Sequence, residues 1–207
     1  MQIENKVVIA GLHDKGKAAI IELQTTSYEK ESGEALCMNR VCNFSGAPYT
    51  CGVRVASLNH HHHILTQAIL RARFLLLEFL IVNLQPHMRI AHNSPRHALL
   101  YRLSGDYNPL HSDPMVANIA GFNRPILHGL CSFGFAVRAV IKSFCNGEPS
   151  SVKSVFGRFL LHVYPGETLI TEMWINGSRV VYRTSVKERG RAVLTGYVVL
   201  REIPSSL

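Results

Sequence analysis

The sequence predicts an α+β fold in which an antiparallel sheet packs around one long helix. Apolar residues recur at helical spacing between Leu130 and Phe144, which indicates a largely buried helix. Four segments rich in β-branched and aromatic residues follow, and short turn sequences separate them. Strands that follow each other through short turns pair antiparallel, so the C-terminal half predicts a helix covered by a sheet.

The helix is expected to begin near Gly129, shortly after Pro125, and to end before Gly147. Its apolar positions have the three- and four-residue spacing of one buried helix face. They are Leu130, Phe133, Val137, Val140, Ile141 and Phe144.

The strands after the helix are separated by Pro165-Gly166, Asn176-Gly177 and Arg189-Gly190. An Asn-Gly pair between two such segments is a strong hairpin signal. A long buried helix followed by an antiparallel meander fits the hotdog fold. The predicted strands are Val152–Val163, Thr168–Ile175, Arg179–Val186 and Ala192–Leu200.

The N-terminal part predicts a second, smaller meander. Residues 6–44 alternate between strand-like segments and turns at Asp14-Lys15-Gly16 and Glu31-Ser32-Gly33. This pattern repeats the order of the C-terminal strands.

One short motif combines three residues that can move or orient protons. Asp106, Asn108 and His111 lie within six positions, and Pro109 favours a turn that can bring Asp106 and His111 together. A carboxylate and an imidazole offer a base and an acid near neutral pH. Taken singly, each residue has a simpler interpretation, since Asp and Asn often cap turns and His111 could be a solvated loop residue.

A second motif, Pro125-Ile-Leu-His-Gly129, precedes the helix. A helix start presents unpaired N–H groups, and a glycine there allows close approach of a ligand. The Gly129 N–H is therefore a candidate donor to a thioester oxyanion. Alternatively, Gly129 only relieves crowding where the helix meets the sheet.

Together the motifs resemble the signature of the MaoC-like, type-2 enoyl-CoA hydratases, and most closely their (3R)-specific peroxisomal members from plants. The resemblance covers about residues 98–207. It rests on Tyr101-Arg-Leu-Ser-Gly-Asp-Tyr-Asn-Pro-Leu-His111, Arg124-Pro-Ile-Leu-His-Gly129, Gly157-Arg-Phe159 and Val163-Tyr-Pro-Gly-Glu-Thr168.

The resemblance implies a role for each matching residue. Asp106 and His111 would be the catalytic pair that adds water to a trans-2-enoyl-CoA, one taking a proton from water and the other delivering one to the α-carbon. Asn108 would support them, Gly129 would bind the thioester oxygen, and Phe159 would contact the substrate. The implied product is a (3R)-3-hydroxyacyl-CoA, formed without a metal or redox cofactor.

The resemblance also implies a domain organisation. Residues 1–44 resemble the closing strands of a first hotdog repeat, so the chain is expected to be a double hotdog with an incomplete first repeat. Lys15 matches a lysine that contacts coenzyme A. Residues 98–207 would be the catalytic hotdog domain, and short bacterial relatives suggest that it pairs as a homodimer.

Residues 45–97 depart from the family and are predicted to be an atypical linker, either disordered or mis-translated. Charged residues interrupt the apolar segment Ile64–Leu84, so it is a poor membrane span. The histidines of His60–His63 lack the spaced partners that zinc requires. No metal site is expected.

Composition agrees with a globular rather than a disordered protein, since 47% of residues are hydrophobic and 17% are charged. The net charge of +8 comes without a recognisable nucleic-acid motif. Attraction to an anionic CoA ester is sufficient to explain that charge, and an ordinary solvated surface is the favoured explanation. Five scattered cysteines without a Cys-x-x-Cys pair favour a reducing compartment.

The C-terminal tripeptide Ser205-Ser206-Leu207 is a variant of the Ser-Lys-Leu peroxisomal address. Combined with the motifs, it predicts recognition by the peroxisomal import receptor and a role in peroxisomal fatty acid β-oxidation. Two alternatives stay open: a hotdog acyl-CoA thioesterase, and a non-catalytic or truncated acyl-CoA-binding protein.

Overall fold

The computed structural model describes residues 2–14, 19–45, 52–57 and 87–201. Its strands are β1 (Ile3–Asp14), β2 (Ala19–Glu29), β3 (Ala35–Ser45), β4 (Gly52–Ser57), β5 (His87–His92), β6 (Val152–Phe159), β7 (Thr168–Asn176), β8 (Arg179–Val186) and β9 (Arg191–Leu200). The α-helices of the described ranges are α1 (His97–Tyr101), α2 (Pro114–Ile119) and α3 (Gly129–Phe144).

All described strands join one antiparallel sheet in the order β1-β2-β3-β4-β6-β9-β8-β7-β5. The N-terminal meander continues into the C-terminal one because β4 pairs with β6. The predicted α+β class is confirmed. None of the described helices is long and apolar enough to cross a membrane.

Helix α3 carries the core of the C-terminal half. Its buried side chains recur at helical spacing and pack against β7, β8 and β9. Leu130 was predicted on the buried face but is 47% exposed, because it lies in the first turn at the cleft. Each large apolar side chain contributes about 1.5–3 kcal/mol on burial. The buried residues of α3 are Ser132, Phe133, Ala136, Val140 and Phe144. The helix ends where Asn146 and Gly147 take positive φ angles of 51° and 84°.

The predicted C-terminal strands are confirmed, but the first was predicted too long. Strand β6 ends at Phe159 because the next two N–H groups, of Leu160 and Leu161, both bond to the Val193 carbonyl, at 2.8 and 3.3 Å. The chain then leaves the sheet. Val163 accepts a 2.7 Å hydrogen bond from the Leu127 N–H, which places residues 160–163 beside the start of α3.

The predicted N-terminal meander is confirmed as two hairpins, β1–β2 and β2–β3. Its assignment to a first hotdog repeat stays a prediction, as do the proposed boundaries at residues 44 and 97. Within the predicted linker, β5 pairs with β7. The expectations for His60–His63 and Ile64–Leu84 lie outside the described residues.

Two glycines, which have no side chain, leave space on the sheet for the buried side chain of Tyr182. Gly157 and Gly196 face each other across β6 and β9, and the Tyr182 hydroxyl donates a 2.9 Å hydrogen bond to the Phe156 carbonyl beside them. A Cβ atom on Gly196 would overlap that carbonyl oxygen and the hydroxyl. The backbone there therefore requires glycine.

We expect Gly196→Ala to lower the free energy of unfolding by roughly 2–3 kcal/mol, since the sheet would have to shift to admit one methyl group. Urea unfolding measures the change. The matched control is Gly134→Ala on the exposed face of α3, where no atom lies within 4 Å of the added Cβ. That control should stabilise the protein by roughly 0.5–1 kcal/mol. Equal stability of both variants would contradict the packing argument.

Candidate active site

The loop from Asp106 to His111 is shaped by its own side chains. The Asp106 Oδ1 accepts a hydrogen bond from the Asn108 N–H at 3.2 Å, and the Asn108 Oδ1 accepts one from the Leu110 N–H at 3.0 Å. Pro109 starts a single 3-10 turn that ends at His111. The turn brings His111 into the core while Asp106 stays 52% exposed.

His111 is held in one tautomer. Its Nδ1 lies 2.8 Å from the Ile126 carbonyl oxygen, and a carbonyl oxygen can only accept a hydrogen bond. Nδ1 therefore carries a hydrogen, so in the neutral ring the lone pair is on Nε2. A buried imidazole with this tautomer can accept a proton at Nε2.

The N-terminus of α3 lies next to this pair. His128 precedes the helix with non-helical angles of −56° and 136°, so Gly129 is the first helical residue. Its N–H has no acceptor within the helix, because no helical turn precedes Gly129 to supply a carbonyl. A Cβ on Gly129 would lie 3.3 Å from the Phe159 ring. Both interpretations of Gly129 therefore apply: it has a helix-start N–H, and it relieves crowding.

A cleft of about 330 Å³ joins these groups. Asp106, His111, Gly129 and Phe159 all line it, so the structure brings together four of the six residues predicted for the site. Val41 of β3 also lines the cleft, so the N-terminal meander forms part of its wall. The volume is at the lower end of the range of small-molecule sites.

Asn108 and Lys15 are the other two predicted site residues. The Asn108 side chain is exposed and its oxygen caps the turn, which explains the shape of the loop. A contact between Asn108 and substrate stays a prediction. Lys15 lies outside the described residues.

An ion pair between Arg189 and Glu167 stabilises another part of the cleft wall. Arg189 contacts Glu167 at 2.7 and 2.9 Å and donates a 2.7 Å hydrogen bond to the His162 carbonyl. His162 also lines the cleft, and its pKa is lowered by burial and by the charge of Arg189. The ion pair therefore holds the backbone at His162, which is part of the cleft wall.

His128 is a site residue that sequence reasoning missed. Its ring is stacked on that of His111, with centroids 3.7 Å apart and planes at 27°. The signal was present in the sequence, because His128 stands directly before Gly129 in the second motif. A lone histidine at a helix start is nevertheless indistinguishable from a packed core residue until its contacts are known.

Asp106, His111 and His128 place potential ligand atoms within 4.8 Å of one another. The lone pairs of His111 and His128 lie in the planes of their rings, and because these rings are stacked, the lone pairs lie in nearly parallel planes. Tetrahedral zinc instead requires ligands that converge on one point. The His128 Nε2 also lies 3.2 Å from the Asp106 carbonyl oxygen, so it carries a hydrogen. This geometry suits hydrogen bonding and ring stacking better than metal binding.

The family of MaoC like domains matches residues 82–196, which is more than half of the 207 residues of the chain. The chain belongs to this MaoC-like family. The matched range contains Asp106, His111, His128, Gly129 and Phe159, so these five site residues lie inside the MaoC-like domain, whereas Val41 lies before it.

One curated relative of this MaoC-like chain is enoyl-CoA hydratase 2, peroxisomal, of Arabidopsis thaliana. The two are 52% identical over 204 residues, which cover 98% of the chain and 63% of the relative. The peroxisomal multifunctional enzyme type 2 of Mus musculus is 39% identical over 99% of the chain and 26% of its own length. The chain thus spans less than two thirds of the length of each of these relatives.

A solved structure with a similar fold is the full-length peroxisomal multifunctional enzyme type 2 from Drosophila melanogaster. It matches with a TM-score of 0.76 and 35% identity, over 96% of the chain and 34% of the solved one. A MaoC-like dehydratase from Phytophthora capsici matches with a TM-score of 0.73 and 32% identity, over 97% and 65%. The predicted hotdog fold is confirmed, while its organisation as an incomplete double hotdog stays a prediction.

Proposed function

We propose that the chain catalyses the reversible addition of water to trans-2-enoyl-CoA, giving a (3R)-3-hydroxyacyl-CoA. The observation that carries this proposal is the placement of Asp106 and His111 in one cleft with the N-terminus of α3. The name of the Arabidopsis thaliana relative, an enoyl-CoA hydratase 2, supports the same reaction.

In the proposed reaction the thioester oxygen accepts a hydrogen bond from the Gly129 N–H, which stabilises the enolate. The water oxygen forms a bond to C3, and C2 receives a proton, so one water is consumed for each product. Asp106 and His111 hold this water between them and carry the proton transfer. The chemistry requires no metal or redox cofactor, because only a proton and a hydroxide are added.

Incubation of the purified protein with a short and a medium trans-2-enoyl-CoA tests the proposal. Hydration removes the absorbance of the conjugated double bond, and chiral analysis of the product should show the 3R configuration. Release of free CoA without hydration would instead identify a thioesterase. A folded protein with neither activity would identify a non-catalytic acyl-CoA-binding protein.

We further propose that the positively charged Lys15 contacts the coenzyme A portion of the substrate, with Phe159 and Asn108 nearer to the acyl thioester. Phe159 supports this arrangement because its ring lies against Gly129 within the cleft. Lys15→Ala should then raise the KM for enoyl-CoA more than it lowers kcat.

A peroxisomal location in fatty acid β-oxidation is proposed from the names of the relatives in Arabidopsis thaliana and Mus musculus and from the C-terminal tripeptide. We expect a fluorescent protein that ends in Ser205-Ser206-Leu207 to enter peroxisomes, through the import receptor that reads such addresses. The same fusion with its last residue, Leu207, deleted is the control. Equal import of the two fusions would contradict the role of the tripeptide.

We also propose that the protein forms a homodimer. Strand β1 lies at one end of the described sheet, and its side chains Ile3, Val7, Ile9 and Leu12 are more than half exposed. An apolar edge strand favours pairing with another chain. Light scattering coupled to size-exclusion chromatography measures the mass, and a monomer at micromolar concentration would contradict the proposal.

A further inference from the structure

His128 lies at the centre of the candidate site. Only 2% of the residue is exposed. One face of its ring stacks on His111 at 3.7 Å, and the Tyr101 ring lies 4.6 Å away. The proposed reaction gives His128 no role, although its ring contacts two other residues of the site.

The contacts of His128 define its tautomer. Nε2 lies 3.2 Å from the Asp106 carbonyl oxygen and 3.9 Å from the carboxylate Oδ2, so the hydrogen on Nε2 points to Asp106. Nδ1 is buried and has no hydrogen-bond partner among the described residues. A second hydrogen at Nδ1 would therefore be buried without an acceptor, which is costly.

His128 is also the N-cap residue, directly before the first residue of α3. The His128 carbonyl accepts hydrogen bonds from the N–H groups of Cys131 and Ser132 at 3.1 and 3.2 Å. His128 thus contacts the carboxylate loop with its ring edge, His111 with its ring face, and the first turn of α3 with its backbone. Through these contacts it links Asp106, His111 and Gly129.

We propose that His128 is a positioning residue, whose neutral Nε2–H holds the Asp106 loop at the distance from His111 that lets both groups flank one water. The role rests on the hydratase function proposed above. His128 does not transfer protons itself, because its donor is occupied by a backbone carbonyl. Burial, and next the interaction with His111, lower the pKa of His128, which favours the neutral ring that its Nδ1, unpaired within the described part of the chain, requires.

Two substitutions separate the hydrogen bond from the packing. His128→Phe keeps an aromatic ring between Tyr101 and His111 but removes the donor, and we expect kcat to fall roughly 10- to 100-fold with KM changed by less than about threefold. His128→Gln restores an N–H near the position of Nε2 and should recover most of that loss. Unchanged kcat in the Phe variant, or no recovery in the Gln variant, would overturn the positioning role.

The matched control is His87→Phe on β5. The His87 ring contacts Phe144 at 5.0 Å, at the opposite end of α3 from Gly129. This variant makes the same chemical change against the same helix and should keep the wild-type kcat and KM. Circular dichroism melting curves establish that each variant is folded before its rates are compared.

A measurement on the wild-type chain tests the geometry independently of activity. Correlation spectra of the imidazole ¹⁵N nuclei at pH 7 should show His128 neutral with its hydrogen on Nε2, and His111 with a hydrogen on Nδ1. A protonated His128, or one with its hydrogen on Nδ1, would overturn the inference even if His128→Phe failed to fold. If the spectra show the expected tautomers but the protein has no hydratase activity, the proposed function is contradicted. The positioning of Asp106 by His128 is then still supported.

Discussion

Replacement of Asp106 or His111 by alanine is expected to lower kcat for enoyl-CoA hydration by roughly 100- to 10,000-fold, the range for a positioned proton-transfer group. Each substitution removes one of the two side chains that hold the water in the proposed reaction. KM should change much less, because the cleft wall around Phe159 and the helix start remain. Initial rates with a saturating enoyl-CoA measure the loss.

The control for Asp106 is Asp113→Asn, because it changes a carboxylate only two residues after His111. The Asp113 side chain caps α2 by accepting hydrogen bonds from the N–H groups of Met115 and Val116, at 2.8 and 3.5 Å. Asparagine caps helices about as well, so the control should keep both stability and rate. Wild-type kcat in either alanine variant would end the proposed mechanism.

Substitution of Gly129 by proline is expected to lower kcat roughly 100- to 1000-fold, the usual cost of one lost oxyanion donor. Proline is well tolerated at the first position of a helix, where its missing N–H breaks no helical hydrogen bond. The preceding residue, His128, already has the extended ψ of 136° that proline requires. The variant thus removes the proposed donor while the helix keeps its start.

Gly129→Ala separates the donor from the steric effect. Alanine also adds a Cβ 3.3 Å from the Phe159 ring but keeps the N–H. We expect its kcat to exceed that of the proline variant by at least about tenfold. Similar rates in the two variants would show that crowding against Phe159, and not the lost hydrogen bond, causes the effect.

Much of the C-terminal fold could be predicted because its local signals agree with its tertiary contacts. The spacing of Phe133, Val140 and Phe144 predicted the buried face of α3, and Asn176-Gly177 predicted the hairpin between β7 and β8. The end of β6 was placed too late. Its true end depends on the carbonyl of Val193, a residue more than thirty positions away. The residues around Phe159 alone cannot predict such a contact.

The candidate site shows the same division. Asp106 and His111 were predicted from a motif of six residues, since Pro109 enforces the turn that brings them together. His128 was missed because its role depends on three contacts made across the fold, to Asp106, His111 and Tyr101. Val41 was missed for the same reason, because a valine in a strand carries no chemical signal.

The sequence by itself determined the α+β class, the helix that begins at Gly129, and the turn that joins Asp106 to His111. Each of these follows from residues close together in the chain, where spacing and turn chemistry act locally. Only the tertiary structure decided that the start of α3 lines the same cleft as Asp106 and His111. It also decided that the Ile126 carbonyl selects the tautomer of His111, and that His128 is packed between His111 and the Asp106 loop. Those contacts join separate segments, and burial in the shared core sets their geometry.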